Sequence, residues 1–183
     1  MKRSAIYFVL ILFVLFSGCV SLKEPDGAID TLVIGSISFV STNYAIRHGI
    51  NVTKPIEEGI EVIFRNIKTN KTYTLKSNRK GIFYSTKVPA GQYTIDKIAL
   101  SSDRNFGVMY QTLEITNIAV GINFSDNCVN NIGNLILTGD GEAKTVGLRF
   151  GYNFDALRDS FAATYPQSDW LKKNWLNNYP YNR

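Results

Sequence analysis

The chain has few of the side chains on which most catalytic and metal chemistry depends: histidine occurs once, as His48, and cysteine twice, as Cys19 and Cys128. A lone histidine rules out a two-histidine metal site. Any Ser-His-Asp arrangement would have to run through His48, which lies in the loop Ala45-Ile-Arg-His-Gly-Ile50 with no carboxylate nearby in sequence. Two cysteines exclude a disulfide framework and a Cys-x-x-Cys metal knuckle. Gly-rich phosphate loops and EF-hand spacing are missing. Asp140 and Glu142 flank Gly141, but two carboxylates fall short of the roughly six to eight oxygens that calcium takes, so this stretch reads as a turn. No five or six like charges run together, and no basic stripe with aromatic platforms suggests nucleic acid as a partner. No apolar run approaches the ~20 residues that cross a bilayer. These shortages point away from an enzyme, and toward a chain with neither cofactor nor metal.

The most informative residues are at the N-terminus. Lys2 and Arg3 precede an apolar run from Ala5 to Phe16, and small residues at Ser17 and Gly18 come just before Cys19, the order of a secretory signal. The segment Leu15-Phe16-Ser17-Gly18-Cys19 resembles the processing site of bacterial lipoproteins, with Phe16 where Leu is usual. The resemblance implies removal of residues 1–18, a diacylglycerol on the Cys19 sulfur and an acylated, palmitate-type amine, so that the membrane is reached through Cys19. Val20 rather than Asp follows the cysteine, which by resemblance to the sorting rule of diderm bacteria favours the outer membrane of the cell envelope. Acylation leaves Cys128 unpartnered. Its place just before an apolar strand is that of a buried, inert thiol.

Residues 19–30 comprise the lipidated cysteine and a polar spacer, whose Val20 to Asp30 contain Pro25 and Gly27 and would reach on the order of 35 Å if extended. The remainder suits one domain burying about 70% of its unfolded surface. Without Lys2 and Arg3 the net charge of +5 falls to about +3, and the basic residues from Lys68 to Lys87 read as a solvated sheet face.

Residues 31–152 carry short runs of period two between turn signals, the mark of an antiparallel β-sandwich of about seven to nine strands. Strands are expected over Thr31–Val40, Gly59–Lys68, Lys71–Ser77, Gly81–Lys87, Gln92–Leu100, Val108–Thr116, Ile118–Phe124, Val129–Thr138 and Lys144–Gly151. Thr69-Asn70 suits a tight hairpin, and Val88-Pro-Ala-Gly91 has the residue preferences of a type I turn. The apolar face of Gln92–Leu100 switches from Tyr93 and Ile95 to Ile98 and Leu100, which asks for a bulge near Asp96-Lys97. In residues 153–183 the period changes. Asn153 caps a helix from Phe154 to about Tyr165, Pro166 stops it, and Ser168–Asn177 reads as a second short helix. One or two such C-terminal helices pack on the sandwich as an aromatic extension.

Gly59-Ile-Glu-Val-Ile-Phe64, Tyr73-Thr-Leu75, Asn78-Arg-Lys-Gly-Ile-Phe83 and Val88-Pro-Ala-Gly-Gln-Tyr-Thr-Ile95 resemble the carboxypeptidase regulatory-like modules, which are prealbumin-like β-sandwiches. Asn131-Ile-Gly-Asn-Leu-Ile136 is similar to a strand of small bacterial lipoproteins built around such a sandwich. The resemblance implies the fold and says little of function, which lies in sites grafted on folds. The candidate partner-binding residues are Trp170, Trp175, Tyr179 and Tyr181, amphipathic aromatics suited to a half-wet surface. The expected role is that of a structural or protein-interaction module of the envelope, the alternative being a ligand- or glycan-binding lipoprotein that uses the same aromatics.

Overall fold

A computed structural model describes residues 22–27, 30–41, 55–100, 113–116, 118, 120–140 and 145–182. The signal segment, Cys19, His48 and Glu142 lie outside the described residues. The period-two runs become β1 (Thr31–Ser41), β2 (Ile60–Asn66), β3 (Thr72–Lys76), β4 (Ile82–Ser85), β5 (Gly91–Leu100), β6 (Leu113–Thr116), β7 (Val120–Phe124), β8 (Cys128–Asp140) and β9 (Thr145–Gly151). The tail adds helix α1 (Phe154–Thr164), a 3-10 turn (Asp169–Lys172), β10 (Asn174–Asn177) and β11 (Tyr181–Asn182). The first sheet runs β10-β8-β1-β4 with β9 also on β8; the second runs β11-β7-β5-β2-β3 with β6 also on β5. This is the expected all-β sandwich, with extra strands contributed by the tail.

Most pairings are antiparallel, but β8 lies parallel to both β1 and β10. Parallel neighbours need a long crossover, and here β2 to β7 intervene in sequence between β1 and β8. Between the sheets, Val33, Ile37 and Phe39 of β1 and Leu135 and Leu137 of β8 face Phe64, Tyr93, Ile95 and Phe124. The Phe64 and Phe124 rings meet edge-on at 5.6 Å. The Tyr93 hydroxyl donates to the Pro89 carbonyl at 2.8 Å, satisfying its polar end without leaving the core. At Val88–Gly91 the chain therefore makes a bend pinned by Tyr93, in place of the expected hydrogen-bonded turn. The β2–β3 connection is likewise looser than a two-residue hairpin: Asn70 adopts φ 59°, and the Asn66 Oδ1 accepts from the Lys68 and Thr69 amides.

Two bulges reset which face is buried. On β5, Ile63 pairs with Lys97 but Phe64 with Ile95, so Asp96 is the extra residue, as the switch of apolar face requires. On β8, Ile34 pairs with Asn131 but Ser36 with Asn134, and Gly133 adopts φ 73°. Val129, ahead of that bulge, points to the outer face of the first sheet. Leu135, beyond it, points to the inner core.

The outer face presents Leu32, Ile34 and Val129, and the C-terminal extension covers it. Asn153 caps α1 through Oδ1 and the Ala156 amide at 3.4 Å, while Phe154, Leu157 and Phe161 are buried. The expected second helix over Ser168–Asn177 does not form. Lys173 is extended at φ −74° and ψ 162°, and Asn174–Asn177 leave the 3-10 turn to pair with Cys128–Asn131. An open edge of β8 offers a ladder of backbone hydrogen bonds, which outweighs the weak helix preference of an Asn-rich segment.

Candidate partner-docking face

Tyr152, Phe154 and Tyr179 form an aromatic cluster where α1 begins. Tyr152 and Tyr179 rings lie 5.1 Å apart, and Phe154 lies 5.9 Å from Tyr152 and 5.3 Å from Tyr179. Phe154 is buried, whereas Tyr152 is 52% exposed and Tyr179 59% exposed. The side chains are held from beneath. The buried Asn131 Nδ2 donates to the Phe154 carbonyl at 3.0 Å, and the Asn178 amide donates to the Asn131 carbonyl at 2.8 Å. Two adjacent phenol rings at a sheet edge offer flat apolar area with hydroxyls at the rim, the kind of surface on which docking carries a low entropic cost.

The four aromatics expected at such a surface divide. Tyr179 belongs to it. Trp170 does not, because its indole is 1% exposed and packs with Leu32, Ile34, Val129 and Phe161. Trp175 is half-buried: its ring meets Phe161 edge-on at 5.5 Å, Arg158 covers it at 5.7 Å, and its Nε1 donates to the Trp170 carbonyl at 3.1 Å. Tyr181 is 37% exposed, but its ring lies over Gly121, where a Cβ would come within 2.4 Å of it. Sequence reasoning missed Tyr152. Its signal was an aromatic pair, Tyr152 and Phe154, straddling the helix cap Asn153.

A second constellation ties the N-terminal segment to the tail. Trp170 Nε1 donates to the Lys23 carbonyl at 2.8 Å. One oxygen of Glu24 accepts from the Ser168 hydroxyl and the Asp169 amide, both at 2.9 Å, and Leu22 packs against the cluster around Trp170. The free spacer expected over residues 20–30 is therefore shortened, because the chain is docked from Leu22.

Among the described residues, Cys128 and Tyr93 are structural titratable groups and the basic residues from Lys68 to Lys87 are solvated. Burial pushes the Cys128 thiol above its ordinary pKa, and its Sγ donates to the Ser125 carbonyl at 3.2 Å, which describes an inert buried thiol. Burial likewise raises Tyr93. Among the described residues no three His, Cys, Asp or Glu side chains converge as a metal site would require, and no helix is long and apolar enough to cross a membrane. Lys68, Lys71, Lys76, Arg79, Lys80 and Lys87 are all exposed.

Neither a scan of protein-family models nor a search of curated proteins returns a match. Among solved structures, the chain is similar to a leucine-rich repeat protein from Bacteroides thetaiotaomicron VPI-5482, at 16% identity over 63% of this chain and 14% of that one, with a TM-score of 0.38. A likeness at that score carries no inference about fold or function.

Proposed function

We propose that this chain is a non-enzymatic lipoprotein of a bacterial cell envelope: exported by residues 1–18, anchored through lipid on Cys19 with the outer membrane favoured, and built on a carboxypeptidase regulatory-like sandwich that docks another envelope protein. The observation that carries this reading is the sequence Leu15-Phe-Ser-Gly-Cys19 behind a short apolar run. A three-chain lipid holds a protein at a membrane far longer than one chain does, so the anchor is effectively permanent. The docking surface is the tyrosine face formed by Tyr152 and Tyr179, held by Phe154, while Trp170 and Trp175 pack the cover of the first sheet.

Cys19→Ser is expected to shift the protein from the membrane fraction to the soluble one, and mass spectrometry of the wild-type N-terminal peptide should find acyl groups on Cys19. A variant that stays with the membranes refutes the anchor. The adjacent exposed phenols also support the second reading, a glycan ligand stacked on them. That reading predicts saturable shifts of the Tyr152 and Tyr179 ring resonances during titration with envelope oligosaccharides, and a flat titration removes it.

A further inference from the structure

We propose that the end of the sandwich bearing Lys68, Lys71 and Lys87 lies against an anionic lipid headgroup surface, and that the clasp between the N-terminal segment and the 3-10 turn holds it in that orientation. The inference rests on the Cys19 anchor proposed above. It adds which surface of the domain meets the bilayer.

The first support is covalent reach. Leu22 is seated against the Trp170 cluster, and Lys23 and Glu24 are bound to the tail. Three chain steps separate Leu22 from Cys19, which span at most about 11 Å. The headgroup plane must therefore pass close to Leu22 and the 3-10 turn, and the domain cannot tumble freely above it.

The second support is register. Thr31, Cys128 and Asn174 lie side by side at the start of their strands in the first sheet. The turn through Ser125–Asn127 joins that level to Phe124 in the second sheet, and Phe124 pairs with Gly91. Tyr93 pairs with Asn66, so the β2–β3 connection ends there as well. In the first sheet Ser85, which closes β4, pairs with Val33 only two positions beyond Thr31. The loops carrying Lys68, Lys71 and Lys87 are thus gathered at the end where the anchored segment enters. Lys68, Lys71, Pro89 and Gln92 line one cleft of about 490 Å³ between two of those loops.

Charge is the third support. None of these three lysines pairs with a carboxylate among the described residues, although the Lys71 ammonium sits 5.3 Å above the Tyr73 ring. The carboxylates at the same end are occupied or offset: Lys172 holds Asp169 at 2.6 Å, Asp26 pairs with Lys23 at 3.1 Å, the Asp30 carboxylate accepts the Gly27 amide at 2.9 Å, and Lys173 reaches Asn127 beside Asp126. Glu57, Glu58 and Glu114 fall at the opposite end, next to Ile56, which bridges to Phe39, and opposite Ala99. Lys68, Lys71 and Lys87 thus stand on the anchored end exposed and without an ion-pair partner among the described residues, whereas at the opposite end Arg79 pairs with Glu58 and Lys97 with Glu114.

The test uses the acylated full-length protein in phosphatidylglycerol-containing vesicles that carry a nitroxide on a fraction of headgroups. A fluorophore is placed at Thr69→Cys or at Arg149→Cys, in a Cys128→Ser background. Arg149 is exposed and pairs with Ile136, eight residues along β8 from Cys128 and so roughly 26 Å from that end. Strong quenching at 69 and weak quenching at 149 is expected, and Glu24→Ala, which leaves the Trp170–Lys23 bond and Leu22 in place, should narrow the difference without removing it. In the unacylated Cys19→Ser chain, the triple change Lys68→Gln, Lys71→Gln and Lys87→Gln should weaken binding to the same vesicles on the order of 100-fold, since each lysine near an anionic surface contributes roughly fivefold. Equal quenching at 69 and 149 in a protein whose Cys19 is acylated overturns the orientation and leaves the anchor intact. An unmodified Cys19 with no vesicle association overturns the anchor, and the orientation with it.

Discussion

At the scale of single residues, Gly133 shows how much of the architecture rests on one backbone conformation. Its φ of 73° lies in the region that L side chains rarely adopt, and a Cβ there would sit 2.5 Å from the Gly151 carbonyl and 3.3 Å from the Phe154 ring. The backbone oxygen cannot move aside as a flexible side chain would. Gly133→Ala is therefore expected to cost about 3 kcal/mol, the sum of left-handed strain and a forced shift of β9 away from β8. A fall in the urea midpoint with unchanged slope measures it, whereas a variant as stable as the parent would show that the bulge is not needed. Gly133 also sits beneath Phe154, so near-ultraviolet circular dichroism of the tyrosine cluster should change along with stability. The same scale explains why Trp170 reads in the sequence as a surface aromatic. Trp170 and Tyr179 are alike as amphipathic aromatics in a polar tail, and only the tertiary partners Leu32, Ile34 and Val129 distinguish a core side chain from a surface one.

At the scale of elements, local signals were legible where neighbours in sequence are neighbours in space. The β2–β3 pair, the Asp96 bulge, the Asn153 cap and the stop at Pro166 all follow from period, turn chemistry and propensity. The parallel partners of β8 were not legible, because nothing local in Thr31–Ser41 or Asn174–Asn177 says which distant strand each will join. Within the site, Tyr179 was legible as an exposed aromatic, but its stacking on Tyr152 depends on β9 and β10 lying on the same side of β8. The finding of β10 changes what a truncation does. A chain cut after Pro166 loses Trp170 and the strand that covers the β8 edge, and uncovers Leu32, Ile34 and Val129. Loss of one buried Trp costs about 3–5 kcal/mol, a large part of the ~5–15 kcal/mol that holds a domain together. The cut chain is expected to be unfolded or aggregated, as read by circular dichroism and sedimentation, whereas a chain ended after Asn178 keeps the indole and stays folded. A soluble, native-like product from the first cut would show that the extension is an accessory to the sandwich.

At the scale of the whole molecule, the N-terminal end of the described chain meets the C-terminal extension, since Leu22, Lys23 and Glu24 rest on the segment from Ser168 to Trp170. Residues 22–24, close behind the proposed lipid site, are then part of the fold, and stability shares a segment with the proposed anchor. Three hydrogen bonds join this segment to the tail, two of them to the Glu24 carboxylate. Each contributes roughly 1 kcal/mol net, with somewhat more for those to a charged group. Leu22 adds a partly buried side chain. A protein that begins at Thr31 should therefore lose about 3–4 kcal/mol relative to one that begins at Cys19, which for a domain of this size is a fall of roughly 6–16 °C in melting temperature. Glu24→Ala in the longer chain should lose about half as much, because the Trp170–Lys23 bond and Leu22 remain. Differential scanning calorimetry of the three proteins in one buffer decides the matter. Equal melting temperatures would mean that the segment rests on the surface without holding it, and the domain would then hang from the proposed anchor as freely as an unstructured spacer allows.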